Sequence, residues 1–186
     1  MTKMNEEMFT ARVLETIDVK FGEIMALKKE GDKTMNYVDS ETISASIRAI
    51  FRKKLLIVPA QIEATLELSK AILAPSNTER IRLIKKVVGL GGGLGGLAMV
   101  IGGIGVALGW GAGVIAAVTA FFTGAAVAGP IGWVVGGVGI AAIAGYFAFS
   151  SDEAKNTEKY LDALKNGIKK AMPYVWKENG EKLSEE

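Results

Sequence analysis

A stretch of 63 residues without a charged side chain constrains this chain more than any other feature. From Val87 to Phe149 the sequence contains no Asp, Glu, Lys, Arg or His, and 19 of the 23 glycines lie there. A helix that spans the hydrocarbon core of a bilayer needs about 20 predominantly apolar residues. We therefore expect this charge-free block either to cross a membrane two or three times or to be buried by the rest of the chain.

The charged residues are confined to the two flanks of the block. Residues 1–86 carry 15 basic and 12 acidic side chains, and residues 150–186 carry 7 and 8. One domain with three regions is expected: an amphipathic helical region (1–86), a hydrophobic membrane-inserting hairpin (87–149), and a C-terminal amphipathic helix with a tail (150–186). The net charge of +2 gives no reason to expect a nucleic acid as partner.

Cysteine and histidine are both absent from the chain. Their absence removes disulfides, thiolate metal sites, a Cys nucleophile and the commonest general base. The glycines Gly91, Gly93 and Gly96 match a dinucleotide fingerprint, but no strand pattern precedes them and no carboxylate lies within the following 50 residues to bind a ribose. We expect no enzyme, no cofactor and no metal site.

Apolar residues recur at three- or four-residue spacing in both flanks, which predicts amphipathic helices and an all-α bundle around the hairpin. Before the block, the predicted helices run from 4 to about 29, over about 40–58, from 59 to 75, and from 76 into the block. Asp39 or Ser40 is predicted as the N-cap of the second helix, and Ser76 with Glu79 as a capping box of the fourth. The apolar stripe of the first helix comprises Phe9, Val13, Ile17, Phe21 and Ile24.

The last helix is predicted to begin at Ser150–Glu153, which has capping-box spacing, and to end at Pro173. Residues 177–186 should then be frayed.

Glycine and proline divide the block. Pro130 disfavours helix at the preceding residue and cannot donate a backbone hydrogen bond, so Gly129 and Pro130 are predicted to form the hairpin tip. The segments 97–128 and 131–149 are each long enough for one span, and the first could also form two shorter helices. The side chains predicted to enter lipid are Leu97, Ile101, Ile104, Leu108, Val114, Val118, Phe121, Phe122, Ile131, Val134, Val138, Ile140, Ile143 and Phe147.

Glycines spaced four residues apart lie on one helix face and let a second backbone approach closely. This spacing predicts helix-packing faces in the block, or tight packing of buried helices in a water-soluble bundle, at Gly89, Gly93, Gly105, Gly109, Gly113, Gly132 and Gly136. A basic cluster directly before the block suits either docking on anionic lipid or a solvated helix face. Its members are Arg80, Arg82, Lys85 and Lys86.

Amphipathic helices from Phe9 to Leu73, followed by a charge-free hairpin from Leu97 to Phe149 that is rich in Gly, Ala, Val and Ile, resemble the pore-forming domain of colicins. The pattern is also loosely similar to a segment of apolipoprotein-L proteins. In colicins a water-soluble helical bundle hides a hydrophobic hairpin, then opens on a membrane and forms an ion channel. The resemblance implies a membrane-inserting, pore-forming protein of toxin or cell-suicide type.

The expected partners are a bilayer with anionic lipids, further copies of the chain, and a cognate immunity or regulatory protein. No signal peptide is expected from the first residues, so the protein would be made in the cytoplasm and would enter a membrane from there or be released by a non-Sec route. An acid trigger would act through carboxylates such as Glu63, Glu67, Asp152 or Glu153.

Two alternatives stay open. The chain could be a constitutive integral membrane protein, such as an immunity or anti-phage factor whose helical flanks bind a partner. It could also be a soluble helical scaffold with a buried hairpin.

Overall fold

The computed structural model describes residues 4–90 and 153–185, which form helices and no strands. The predicted all-α class is confirmed for this part of the chain. The predicted hairpin, its tip, its lipid-entering side chains and the glycine faces beyond Gly89 lie outside the described residues. The helices are α1 (Glu6–Leu27), α2 (Tyr37–Leu55), α3 (Ala60–Lys70), α4 (Asn77–Gly89) and α5 (Glu153–Ser184), with a 3-10 turn at Ala71–Leu73.

Helix α3 lies at the centre of the bundle. From Gln61 to Lys70 every residue except Glu63 is buried, which a short helix achieves only when other helices cover it on nearly all sides. It packs against α2, α4 and most extensively α5, while α1 packs against α2 and α5. The cover of α3 therefore comes from both flanks of the charge-free block.

The core joins the two flanks through large apolar side chains. Phe9 of α1 and Phe51 of α2 meet edge to face with ring centroids 5.6 Å apart, and the ring centroid of Trp176 of α5 lies 6.1 Å from that of Phe9. Tyr160 and Ile168 of α5 are fully buried. Burying a large apolar side chain contributes about 1.5–3 kcal/mol. The flanks thus fold as one body.

The N-cap of α2 lies three residues before Asp39, the first of the two predicted caps. Asn36 is the N-cap: its side chain accepts a hydrogen bond from the backbone N–H of Asp39 (2.9 Å), and the Asp39 carboxylate accepts one from the N–H of Asn36 (2.9 Å). The prediction of Asp39 or Ser40 as N-cap is therefore wrong, because Asp39 is the third helical residue of a capping box. The predicted Ser76 cap of α4 is confirmed by a 3.2 Å hydrogen bond from the Glu79 N–H to the Ser76 hydroxyl. The Glu79 carboxylate accepts hydrogen bonds from Tyr37 and Arg82.

Helix α5 continues through Pro173 to Ser184, so the predicted end at Pro173 and the predicted fraying of 177–184 are wrong. A proline inside a helix costs about 3 kcal/mol through a lost hydrogen bond and a steric clash. Beyond it, however, Val175 and Leu183 are fully buried in the core. Tertiary burial of these two side chains offsets the local cost, and the proline itself faces solvent.

Within residues 4–90 and 153–185, no helix combines the length and the apolarity that crossing a bilayer requires.

Candidate functional site, the charge network beside the block

Helix α4 leads directly into the charge-free block, and its last turns are held to the centre of the bundle. Lys86 Nζ lies 2.8 Å from Oε1 of Glu67 on α3, and Val87, the first residue of the block, is fully buried. The Glu67 side chain is only 1% exposed, which is rare for a carboxylate unless cations surround it. The ion pair between Lys86 and the buried Glu67 carboxylate thus holds the residues at which the block begins against α3.

Three cations converge on the Glu67 carboxylate. Besides Lys86, the Arg48 Nη2 of α2 donates to Oε1 at 2.7 Å, and Lys70 Nζ lies 3.2 Å from Oε2. Arg48 also donates to Glu63 through Nε and Nη2, each at 2.9 Å. Three helices therefore meet at a single buried carboxylate.

The network closes at Glu41 on α2, whose Oε1 accepts a hydrogen bond from Lys70 Nζ at 2.5 Å. Three carboxylates and three cations then balance in formal charge. We call this set the charge network, and it comprises Glu41, Arg48, Glu63, Glu67, Lys70 and Lys86.

Helical spacing in the sequence produces this arrangement. Glu63, Glu67 and Lys70 follow one another at four and three residues, so they share one side of α3. Glu41 and Arg48 are seven residues apart, which places them two turns apart on the same side of α2. The charged sides of α2 and α3 therefore face each other, and α4 adds Lys86 from the third direction.

The surroundings keep Glu67 ionised. Burial alone raises the pKa of a carboxyl group, but the hydrogen bond from Lys86 and the charges of Lys70 and Lys86 outweigh burial here, so the pKa of Glu67 is lowered. Burial likewise disfavours the charge of Arg48, whereas Glu63 and Glu67 favour it, and the pKa of Arg48 is raised. Removing one member would leave its partners buried without compensation, which is far costlier than the intact network is stabilising.

A second group of contacts ties the start of α4 to the start of α2. The Tyr37 hydroxyl donates to Oε1 of Glu79 at 2.9 Å, and Arg82 Nη2 lies 2.5 Å from the same oxygen. Burial and the bond to Glu79 raise the pKa of Tyr37 to about 12. Lys70 Nζ lies 5.9 Å from the centroid of the Tyr37 ring and so links this group to the charge network. Helix α4 is therefore held at both ends.

The structure separates the basic residues that the sequence grouped for lipid docking. Arg80 is buried, and it donates from Nε to the carbonyl of Ala71 at 2.9 Å and from Nη2 to the carbonyl of Ala74 at 3.2 Å. In this bundle Arg80 therefore donates hydrogen bonds to backbone carbonyls around the 3-10 turn and does not belong to a surface cluster. Arg82 and Lys86 are exposed but paired with carboxylates, and the side chain of Lys85 lies outside the described part.

Sequence reasoning named Glu63 and Glu67 only as carboxylates that acid could protonate. Their spacing with Lys70 is visible in the sequence and could have placed all three on one face. That this face is buried, and that Arg48 and Lys86 meet it, depends on how α2 and α4 pack.

Neither family models, nor curated proteins, nor solved structures gave a match to this chain. Among residues 4–90 and 153–185, no group of three or more acidic side chains is arranged to hold a metal ion. The clustered carboxylates of the charge network are instead neutralised by its own Arg and Lys side chains. The arrangement is suited to holding helices together and releasing them, since ion pairs respond to pH and salt.

Proposed function

We propose that this chain is a membrane-inserting, pore-forming protein of toxin or cell-suicide type, whose helical bundle holds both ends of an inserting hairpin. One observation carries the proposal. Helix α5 follows the block in sequence, yet it packs against α1, α2 and α3, which precede it. Both ends of the segment 91–152 therefore leave the same folded body.

A block anchored at both ends in one body crosses a membrane an even number of times as long as that body stays intact. Two spans need about 40 residues, which the 63-residue block supplies with some left for a turn near Gly129 and Pro130. A third crossing would carry α5 to the far side and separate it from the apolar core. The proposal therefore commits to two crossings.

The distribution of charge supports an inserting segment that lies between Lys86 and Asp152. Lys86 is the last charged residue before the block and Asp152 is the first after it. A charge at the bilayer centre costs about 2.5–3.5 kcal/mol on insertion scales, and nothing between these two residues carries that cost. The ion-paired residues of the bundle would remain outside the hydrocarbon core.

Release of a trapped dye tests the proposal. We expect the purified chain to release carboxyfluorescein from vesicles of equal parts phosphatidylglycerol and phosphatidylcholine, at pH 7 or pH 4.5. The substitution Ala142→Arg should lower that release about tenfold or more, because it adds a charge to the second predicted span. Ala26→Arg makes the same change at an exposed site on α1 and should leave release unchanged.

Vesicles that stay intact at a high ratio of protein to lipid, at both pH values, would contradict the proposal. Full release by Ala142→Arg would contradict it as well. Purification separates the alternatives: a constitutive integral membrane protein needs detergent from the start, and a soluble scaffold never binds lipid.

A further inference from the structure

The loop between α2 and α3 presents two adjacent large apolar side chains to solvent. Leu56 is 86% exposed and Ile57 is 70% exposed, although the flanking Leu55 and Pro59 are buried and anchor the loop. Apolar area in water is unfavourable, and two neighbouring large side chains on a short loop add to one continuous patch. We call Leu56 and Ile57 the tip.

The backbone at the tip makes the exposed leucine more unusual. Leu56 caps α2 in the left-handed conformation, with φ 63° and ψ −21°. Glycine or asparagine adopts this conformation at lower cost, and helices commonly end with glycine in it. The Leu56 side chain stabilises neither the helix end nor the core, so it is available for contact with a ligand.

Basic side chains lie close to the tip. Arg52, Lys53 and Lys54 lie in the last turn of α2, just before Leu55. Arg12 of α1 joins Lys53 and Lys54 around a groove of about 480 Å³, whereas Arg52 lines a separate groove beside Glu63. The floor of the first groove is apolar and is formed by Phe9, Ala49 and Ile50. Within the described ranges, no carboxylate pairs with any of these four cations, whereas every cation of the charge network is paired.

The opposite end of α2 provides a comparison. Leu27 and Val38 are 89% and 71% exposed there, but the neighbouring Lys28 Nζ is neutralised by Asp39 at 2.8 Å. Exposed apolar side chains therefore occur at both ends. At the end with Leu27 and Val38, three acidic residues in the same stretch (Glu30, Asp32 and Asp39) balance Lys28, Lys29 and Lys33, whereas no acidic residue lies between Glu41 and Glu63 around the tip. The uncharged block would gain nothing from these cations, and a second copy of the same face would repel them. An anionic surface with an apolar interior satisfies both features.

We infer that the tip docks on an anionic lipid bilayer. Leu56 and Ile57 enter the boundary between headgroups and acyl chains, while Arg12, Lys53 and Lys54 bind lipid phosphates. The inference rests on the proposed function, since it names the surface with which the bundle first meets the membrane. It also shifts docking away from α4, where the exposed Arg82 and Lys86 are already paired with carboxylates.

Sedimentation with vesicles tests the tip in the full chain. Leu56→Ser/Ile57→Ser should weaken binding to vesicles with 50% phosphatidylglycerol about tenfold, and neutral phosphatidylcholine vesicles should bind at least tenfold more weakly than anionic ones. The matched control Leu27→Ser/Val38→Ser removes an equally exposed apolar pair and should bind like wild type. Circular dichroism checks that each variant keeps its helices.

The charges are tested in the same way. Arg12→Gln/Lys53→Gln/Lys54→Gln should weaken binding about tenfold or more, whereas Lys159→Gln/Lys169→Gln/Lys170→Gln, with the same loss of charge on α5, should change it little. Binding by the folded tip variant that equals wild type would overturn the inference. The inference would also be overturned if the wild type ran as a dimer on gel filtration and the tip variant ran as a monomer, since the tip would then be a protein interface.

Failure of the tip and failure of the pore are distinguishable. Ala142→Arg should still bind anionic vesicles through the tip while releasing little dye, and adding Leu56→Ser/Ile57→Ser to it should abolish binding. If Ala142→Arg releases dye fully while the tip variant loses binding, the pore proposal fails and the tip stands. If the tip variant binds vesicles and releases dye like wild type, the docking inference is contradicted and the pore proposal is not.

Discussion

Replacing Glu67 by glutamine should lower the free energy of unfolding by about 3–5 kcal/mol. Glutamine keeps the size of the side chain but removes the charge that Arg48, Lys70 and Lys86 share. Lys70 is only 3% exposed, so its ammonium group would stay buried with one partner fewer. Urea unfolding followed by circular dichroism at 222 nm measures the change, with the slope checked against wild type.

The matched control is Glu23→Gln on α1. Within the described residues Glu23 pairs with Lys20 alone, and both side chains are substantially exposed, so its removal should cost under about 1 kcal/mol. A loss at Glu67 no larger than the loss at Glu23 would show that the charge network does not hold α4.

The same variant gives a pH signature whose sign follows from the lowered pKa of Glu67. A carboxylate with a lowered pKa stabilises the fold above its ordinary value, here 4.5, and this contribution is lost as the pH falls through its value in the folded protein. The difference between wild type and Glu67→Gln should therefore be full at pH 7 and shrink as the pH falls below 4.5. A constant difference from pH 7 to pH 3 would exclude the carboxylate charge as its cause.

Replacing Phe51 by alanine should also lower the free energy of unfolding by about 3–5 kcal/mol. Phe51 is fully buried, and its contact with the Phe9 ring helps to join α2 to α1, which in turn packs on α5. Phe51→Leu fills most of the space and should cost no more than about 1.5 kcal/mol. Equal losses for the two substitutions, again from urea unfolding, would contradict a packed core at this position.

Local patterns in the sequence predicted what local forces determine. Of the predicted stripe of α1, Phe9, Val13 and Ile17 are fully buried and Phe21 and Ile24 are partly buried, because their spacing places them on one helix face. The cap of α4 by the Ser76 hydroxyl was also predictable, since this hydroxyl and the Glu79 N–H lie within one turn.

The predictions that failed depend on partners far away in the sequence. Pro173 does not end α5, because Val175 and Leu183 find a core built largely from the other flank. Arg80 is buried and donates to backbone carbonyls around the 3-10 turn. The sequence of its own helix does not indicate these contacts. The charge network needs three helices to meet, so spacing alone could at most have placed Glu63, Glu67 and Lys70 on one face of α3, without Arg48 and Lys86.

The most direct test of the account asks where residue 142 lies when the protein is on a membrane. The chain has no cysteine, so Ala142→Cys can be labelled uniquely with the fluorophore NBD, with Ala26→Cys as the control on α1. On anionic vesicles we predict that the label at 142 shifts to the blue and is quenched by lipids carrying a nitroxide on the acyl chain. The label at 26 should stay accessible to iodide added outside. A label at 142 that iodide quenches as readily as the label at 26, on vesicles that have bound the protein, would contradict entry of the charge-free block into lipid.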